Sequence, residues 1–314
     1  MTHLGFVFPG QGSQSVGMLA ALGAAYPLVG QTFAEASTVL GHDLWRRVQE
    51  GPEEELNNTQ NTQPAMLAAG VAVWRVWQAR GGSEPSLMAG HSLGEYSALV
   101  CAGALAFTDA VALVAERARL MQEAVPQGQG AMAALLGLAD AQVLAVCAEA
   151  AAGEVVEAVN FNAPGQVVVA GHSGAVERAI QLAKAAGAKR ALRLPVSVPS
   201  HCALMRPAAA HLAERLARTR IDPPRIPILH NASVEATADP GQIRALLALQ
   251  LYRPVRWVET IQALAARGVT QVVEAGPGKV LAGLNKRINK DLRALPVFDP
   301  QSLDAALEET THVA

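Results

Sequence analysis

Residues 87–96 read Leu87-Met88-Ala89-Gly90-His91-Ser92-Leu93-Gly94-Glu95-Tyr96. The apolar residues at the front predict the end of a buried strand, and the run from Leu93 to Gly103 predicts a helix. Between them lies G-x-S-x-G, the pattern of a nucleophile elbow, in which two glycines permit a turn too sharp for larger side chains. A helix start also offers free backbone N–H groups to an oxyanion. The stretch therefore predicts that Ser92 is a nucleophile, and the alternative is a chance match on an ordinary strand-to-helix turn.

Strand-like and helix-like segments alternate along most of the chain, which predicts a parallel sheet with helices on both faces. Between Gly128 and Pro195 the order changes to β-α-β-β-α-β, the order of a ferredoxin-like subdomain. We therefore expect an α/β fold. Residues 1–127 and 196–314 would form an α/β-hydrolase-like catalytic domain, and residues 128–195 would form an inserted ferredoxin-like subdomain.

Size, composition and charge narrow the class of protein. Of the 314 residues, 51% are hydrophobic and 17% charged, which predicts a compact globular protein. The net charge of −2 argues against nucleic acid as a partner. The three cysteines are far apart and suit reduced thiols in a cytoplasmic protein, with neither a disulfide framework nor a zinc pattern. No signal-peptide start and no run of about 20 apolar residues is present, so no membrane association is expected.

The first strand, Leu4–Phe8, leads into a glycine-rich loop over residues 9–17, which raises the question of a nucleotide cofactor. The dinucleotide fingerprint G-x-G-x-x-G is not met, because the third glycine arrives late, at Gly17. A phosphate loop would end in Gly-Lys-Ser/Thr, and residues 276–280 fail that test because Val280 has no hydroxyl. Both nucleotide interpretations are weak. The loop can still bring backbone N–H groups close to a ligand.

Two helices near the elbow have predictable starts. Thr62 is expected to cap a helix over residues 63–78, and Thr108 a helix from Asp109 to about Glu123. Arg117 lies in the second helix among valines, leucines and alanines. Such an arginine is either a surface residue whose stem snorkels along apolar neighbours or a buried cation awaiting an anion. The apolar pattern by itself favours snorkelling.

A serine nucleophile needs a base to take its proton, and histidine is the usual base. His201 is the best candidate because it lies where the chain returns from the predicted insertion, just before a helix. The other histidines lie at the chain ends, beside the serine, or on helix faces and loops. They are His3, His42, His91, His172, His211, His230 and His312. An ordinary α/β-hydrolase places its histidine late in the chain after an acid, so the third member of a triad stays unidentified.

At this point the motifs match a known family. The chain closely resembles the malonyl-CoA:acyl-carrier-protein transacylases of bacterial fatty-acid synthesis. The resemblance covers the chain from its first strand nearly to its end, and the motifs together are far more specific than any one alone. The matching stretches are residues 8–14, 60–65 and 90–96, the helix around Arg117, and residues 196–201, 250–257 and 274–281.

The resemblance implies a role for each matching position. Ser92 would attack the thioester carbonyl, and His201 would take its proton and return it to the leaving thiol. In this family a main-chain carbonyl orients the histidine, and the matching position is Gln250. The N–H groups of Leu93 and Gln11 would hold the oxyanion. Arg117 would bind the malonyl carboxylate, which replaces the snorkelling interpretation, and Gln63 would line the same pocket.

The reaction implied is ping-pong transfer of malonyl from malonyl-CoA to the phosphopantetheine thiol of acyl carrier protein, with no metal and no other cofactor. The resemblance further implies a cytoplasmic monomer. Carrier proteins are usually acidic, so a basic docking surface is expected, although each cation could simply be solvated. The candidates are Lys189, Arg190, Arg193, Lys279, Lys286, Arg287 and Lys290.

Three alternative functions stay open. The malonyl transferase could serve a polyketide or malonate decarboxylase system. A generic serine esterase is disfavoured by the early histidine, the arginine helix and the insertion. A non-catalytic carrier-binding module is disfavoured by the pair of Ser92 and His201.

Overall fold

The computed structural model describes residues 4–196 and 198–311. Two histidines weighed as bases, His3 and His312, and one residue of the matching motifs, Ser197, lie outside the described residues. The described strands are β1 (Leu4–Phe8), β2 (Leu87–Gly90), β3 (Gly130–Leu136), β4 (Val156–Ala163), β5 (Gln166–His172), β6 (Arg190–Arg193), β7 (Ile228–Leu229), β8 (Gln271–Ala275) and β9 (Arg293–Val297).

Helices connect and cover these strands. They are α1 (Ala20–Ala25), α2 (Pro27–Leu40), α3 (Leu44–Glu50), α4 (Glu53–Asn57), α5 (Thr59–Ala79), α6 (Gly94–Cys101), α7 (Phe107–Ala124), α8 (Asp140–Ala151), α9 (Ser173–Ala185), α10 (Arg206–Ala217), α11 (Pro240–Leu249), α12 (Trp257–Ala266), α13 (Val280–Ile288) and α14 (Pro300–Thr311), with a short 3-10 turn at Ala203–Met205.

The main sheet has the strand order β7-β2-β1-β8-β9, and all of its pairs are parallel. Its central strand is buried on both faces. Phe6 and Phe8 pack into a large core with α2, α5 and α7, whereas Val7 points into a second core with α12 and α13. A strand buried on both sides is typical of a parallel sheet covered by helices on both faces. The predicted α/β-hydrolase-like main sheet is confirmed.

The second sheet is antiparallel, with the order β4-β5-β3-β6, and α8 and α9 pack on one face of it through their own core. This is the predicted ferredoxin-like subdomain. Its other face and its outer strand meet the main body. The N–H of Val255 donates to the carbonyl of Val159 at 2.8 Å, and the N–H of Phe161 donates to the carbonyl of Val255 at 3.0 Å. The subdomain therefore lies against the loops that follow the main-sheet strands.

Two predicted helix starts are wrong. Helix α5 begins at Thr59, because the side chain of Asn58 accepts the N–H of Gln60 at 3.0 Å and so caps it. Thr62 lies inside that helix, and Pro64 lies in its second turn. Helix α7 begins at Phe107 without a side-chain cap, so Thr108 is not a cap either. Helices α4 and α14 were not predicted.

No helix within residues 4–196 and 198–311 is long and apolar enough to cross a bilayer. In the same part of the chain, no group of three or more metal-ligating side chains comes together.

Candidate active site

The elbow lies at the carboxyl edge of the main sheet, where β2 ends at Gly90 and α6 begins at Gly94. Ser92 sits between them in the left-handed region, at φ +51°. A side chain at Gly90 would place its Cβ 1.9 Å from the main chain of Gly94, and one at Gly94 would lie 2.0 Å from the carbonyl oxygen of Phe8. Both glycines are therefore required by close backbone approach, as the motif predicts.

Ser92 and His201 meet although 109 residues separate them. The Oγ of Ser92 lies 2.8 Å from Nε2 of His201, and Nδ1 of His201 lies 2.7 Å from the main-chain carbonyl of Gln250. A carbonyl only accepts, so Nδ1 carries the proton and Nε2 is free to accept from the serine hydroxyl. The backbone of His201 is itself in the left-handed region, at φ +68°, and its N–H donates to the carbonyl of Leu251 at 2.9 Å.

The surroundings of His201 favour the neutral ring. Burial, together with the positive charge of Arg117, lowers the pKa of His201 to about 3. A neutral imidazole at physiological pH is the form that can take a proton from a serine hydroxyl.

The other described histidines do not contact Ser92. His91 points away and lies 2.7 Å from the side-chain oxygen of Asn162. His172 accepts the N–H of Val155, and His230 contacts Glu95. His42 and His211 are exposed.

The two backbone groups expected to hold an oxyanion line the same cavity as Ser92. Leu93 lies at the start of α6, and Gln11 lies in the loop after β1. Among residues 4–196 and 198–311, neither N–H is engaged in a hydrogen bond. The N–H of Ser92, in contrast, donates to the side-chain oxygen of Asn231 at 2.7 Å. Two unengaged N–H groups in the cavity that Ser92 lines can donate hydrogen bonds to a developing oxyanion.

Arg117 is a buried cation, so the snorkelling interpretation of its helix is wrong. Its side chain, 1% exposed, donates from Nη1 to Oε1 of Gln63 at 2.6 Å and from Nη2 to Oε1 of Gln250 at 3.1 Å. The guanidinium also lies over the ring of Tyr96, 5.5 Å from its centroid. No carboxylate forms an ion pair with Arg117 among the described residues, and its Nε has no partner there. The apolar neighbours that suggested snorkelling are the core in which the residue is enclosed.

One cavity of about 110 Å³ brings the predicted site residues together. Methionine, leucine and valine side chains from the subdomain and the returning chain form its apolar wall. The predicted site residues that line it are Gln11, Gln63, Ser92, Leu93, Arg117 and His201. Gln250 does not line the cavity. Its main chain contacts His201 and its side chain contacts Arg117.

A buried polar cluster, which was not predicted from the sequence, lies behind the elbow. Glu95, Asn231 and His230 are all enclosed, and both carboxyl oxygens of Glu95 accept hydrogen bonds from the other two. Asn231 also donates to the carbonyl of Gly90 at 2.6 Å, so it holds the elbow from both sides. The burial of Glu95 could have been predicted from the sequence, because it is a charged residue in an otherwise apolar helix that follows the elbow.

Comparison with known proteins gives a consistent result. The family described as acyl transferase domain matches residues 5–298. A protein named malonyl CoA-acyl carrier protein transacylase from Escherichia coli strain K12 is 59% identical over 308 residues, which cover 98% of this chain and 100% of that protein. A protein of the same name from Bacillus subtilis strain 168 is 45% identical over 310 residues and is covered to 97%, with 98% of this chain aligned.

Solved structures are equally similar. An acyl carrier protein S-malonyltransferase from Vibrio cholerae superimposes with a TM-score of 0.94 at 59% identity, over 97% of this chain and 99% of that one. A malonyl-transacylase solved in complex with its type II PKS acyl-carrier protein superimposes with a TM-score of 0.96 at 58% identity, over 98% and 99% of the two chains.

Proposed function

The chain belongs to the acyl transferase family, among the malonyl CoA-acyl carrier protein transacylases, and we propose that it works through a malonyl ester on Ser92. The activity is transfer of the malonyl group from malonyl-CoA to acyl carrier protein, an acyltransferase reaction of fatty-acid synthesis. The observation that carries the proposed mechanism is the contact of Ser92 with His201, backed by the Gln250 carbonyl, in one cavity with Arg117.

In the first half-reaction, Oγ of Ser92 attacks the thioester carbonyl of malonyl-CoA while Nε2 of His201 takes the hydroxyl proton. The carbonyl oxygen becomes an oxyanion, which the N–H groups of Leu93 and Gln11 stabilise. When the intermediate collapses, the C–S bond breaks and His201 returns the proton to the CoA thiolate. Malonyl then remains as an ester on Ser92.

In the second half-reaction, the phosphopantetheine thiol of the carrier protein attacks that ester. His201 takes the thiol proton, and the same two N–H groups stabilise the second oxyanion. Collapse of the intermediate breaks the ester C–O bond and His201 returns the proton to Ser92, which regenerates the free enzyme. The imidazolium formed in both half-reactions is stabilised by the main-chain carbonyl of Gln250.

Arg117 binds the free carboxylate of the malonyl group. A guanidinium matches a carboxylate through two parallel hydrogen bonds, and a dry pocket strengthens them. Gln63 supports this role because its Nε2 donates to Oγ1 of Thr59 at 3.0 Å, which leaves its carbonyl oxygen facing Arg117.

The reaction requires no metal or nucleotide cofactor, because the serine, the histidine and two backbone N–H groups supply the nucleophile, the base and the electrophilic support. The enzyme acts as a cytoplasmic monomer. One chain contributes all the residues of the proposed mechanism, and its three cysteines are free and buried, which suits a reducing compartment. We further propose that residues 1–127 with 196–314 and residues 128–195 are its two domains.

The carrier protein docks on a basic surface that runs from the subdomain to α13. Lys189 leads into β6 beside the β4–β5 turn, where its N–H donates to the carbonyl of Leu136 at 2.8 Å. Arg287 reaches the same turn from α13 and donates to the carbonyl of Pro164 at 3.0 Å. Exposed Lys279 and Lys286 extend the surface along α13. This run of cations favours an acidic partner.

Two kinds of carrier protein are candidates for the acceptor. A fatty-acid carrier is the first, because the curated relatives are named malonyl CoA-acyl carrier protein transacylase. A polyketide carrier is the second, because a solved relative 58% identical to this chain was captured with a type II PKS carrier.

Intact-protein mass spectrometry tests the mechanism. Wild-type protein mixed with malonyl-CoA should gain one malonyl mass and lose it to phosphopantetheinylated carrier faster than to water. Ser92→Ala should gain no mass. A stable malonyl adduct on the Ser92→Ala protein would show that another group carries the ester.

A further inference from the structure

Glu95 is a fully buried carboxyl group that the proposed mechanism does not use. Its Oε1 lies 2.7 Å from Nδ1 of His230, and its Oε2 accepts the N–H of Asn231 at 3.0 Å and the side-chain amide of Gln250 at 2.8 Å. A buried carboxyl group is costly unless its oxygens are paired, and here three donors pair them. The arrangement joins the elbow helix to the segment that orients His201.

The amide of Gln250 has two different ends, and its neighbours decide which end faces where. Its Nε2 donates to Glu95 and also to the carbonyl of Ser92 at 3.0 Å. Both partners only accept, so the oxygen of the amide must point the other way, towards Nη2 of Arg117 at 3.1 Å. With Glu95 removed, one of the two acceptors that hold this orientation is lost.

The main chain of the same residue supplies the carbonyl that accepts from Nδ1 of His201. One residue therefore contacts the base through its backbone and the carboxylate-binding cation through its side chain. No carboxyl group forms a hydrogen bond with His201 in the described part of the chain, and Glu95 is connected to the base through Gln250.

We propose that Glu95 is a positioning residue that acts through Gln250, holding its carbonyl against His201 and its amide oxygen against Arg117. The inference rests on the proposed roles of Ser92, His201 and Arg117. It assigns the side chain of Gln250 a role of its own, beyond the main-chain carbonyl.

The test measures single-turnover acylation of Ser92 by malonyl-CoA and by acetyl-CoA. Glu95→Met removes every acceptor at similar size, and acylation by both thioesters should fall about 10²-fold, since a displacement near 1 Å costs that much. The preference for malonyl over acetyl should also narrow, because Arg117 loses the amide oxygen of Gln250 and keeps only that of Gln63. Glu95→Gln keeps one oxygen that can accept from Gln250 and should retain acylation within about fivefold of wild type, the spread expected of an altered neutral hydrogen bond.

Glu274→Met is the matched control. Glu274 is also a buried carboxyl group beside the main sheet, and its oxygens accept the N–H groups of Leu281 and Ala282 at 2.9 and 2.7 Å, without contact to Gln250. Both variants are expected to lose thermal stability, so acylation rates are divided by the folded fraction of each protein. After this correction, only Glu95→Met should narrow the preference for malonyl-CoA over acetyl-CoA. An unchanged preference in Glu95→Met, or equal loss in Glu95→Gln, would overturn the proposal.

Gln250→Met tests the same proposal independently of whether Glu95→Met folds. It preserves the main-chain carbonyl and removes both ends of the amide. We expect the same loss as in Glu95→Met, and no further loss in the double variant, because residues acting through one contact are non-additive. Full activity in Gln250→Met would overturn the proposal. Ser92→Ala run in parallel separates the outcomes, because acylation there would refute the proposed mechanism itself.

Discussion

Arg117 brings a full charge into the core with only neutral partners in contact. The two amide oxygens of Gln63 and Gln250 and the face of Tyr96 offset part of the desolvation cost, and Nε is left unpaired. A site with these properties suits a small anion, and in the proposed mechanism the malonyl carboxylate provides one.

Arg117→Ala should therefore separate two substrates. Losing a hydrogen-bonded buried charge pair costs about 2–5 kcal/mol, so kcat/KM for malonyl-CoA should fall about thirtyfold to a few thousandfold. Acetyl-CoA has no carboxylate, and its kcat/KM should hold or rise. Arg117→Lys keeps the charge but lacks the planar guanidinium, so its kcat/KM for malonyl-CoA should lie between those of wild type and Arg117→Ala. Equal decline of both thioesters in Arg117→Ala would mean that the arginine only supports the core.

The lowered pKa of His201 predicts how the acylation rate depends on pH. Its pKa, lowered to about 3 by burial and by Arg117, keeps the ring neutral well below its ordinary value of 6.5. The acylation rate should therefore stay level from pH 8 to pH 5, whereas an unshifted histidine would lose about tenfold by pH 5.5. Stopped-flow or quenched acylation across this range is the measurement, and a midpoint near 6.5 would contradict the assignment.

The same shift affects stability, and the sign follows from proton binding. The unfolded chain takes up a proton on His201 at about pH 6.5, whereas the folded chain does so only near pH 3. Acidification below pH 6.5 therefore favours the unfolded state. Circular dichroism at each pH supplies the folded fraction by which the acylation rates are divided.

The elbow is an element whose sharpness comes from backbone packing, not from a favourable turn sequence. Strand β2 and helix α6 join through a serine at positive φ, and α6 approaches the end of β1 so closely that Gly94 lies against the carbonyl of Phe8. Strain of this kind persists only when the surroundings hold it, here through Asn231 and Gln250.

Gly94→Ala should destabilise the fold by about 3 kcal/mol or more, because its Cβ would meet backbone atoms that cannot rotate away. Gly30→Ala is the matched control. Gly30 lies inside α2 with open space around it, so alanine there should stabilise the protein by about 1 kcal/mol. Chemical denaturation of the two variants gives both free energies, and similar values would contradict the packing argument.

In the whole molecule, Ser92 lies where two sheets meet. The loops after β1, β2 and β8 share one edge of the main sheet, and β4 of the subdomain closes over that edge through its bonds to Val255. The cavity is therefore walled by the subdomain on one side and by the core helices on the other.

Lys286→Glu should weaken the carrier half-reaction. An acidic carrier is attracted less strongly to the basic surface once Lys286 is replaced, so the KM for the carrier should rise several-fold. The effect should shrink as salt is added. Arg218→Glu makes the same charge change at the exposed end of α10 and should leave the KM for the carrier near wild type. Steady-state rates at varied carrier concentration decide, and equal effects of the two variants would indicate net charge alone.

Local chemistry in the sequence was enough for much of this protein. Hydrophobic periodicity and the glycine-flanked serine predicted the parallel sheet, the insertion and the elbow, since each depends on residues close together in the chain. The caps of α5 and α7 were misjudged because Thr62 and Thr108 are equally good capping residues by type, and only the surrounding contacts decide which residue begins a helix.

The sequence favoured His201 as the base and the resemblance implied a carboxylate-binding Arg117. Only the tertiary structure shows the contact of His201 with Ser92, the enclosure of Arg117 and the cluster of Glu95 with Asn231 and Gln250. The partners of Ser92 lie 109, 139 and 158 residues along the chain from it. Whether a charged side chain snorkels or is enclosed depends on what the rest of the chain packs against it. Such contacts are created by the folding of distant segments onto one another, and no short window of sequence contains them.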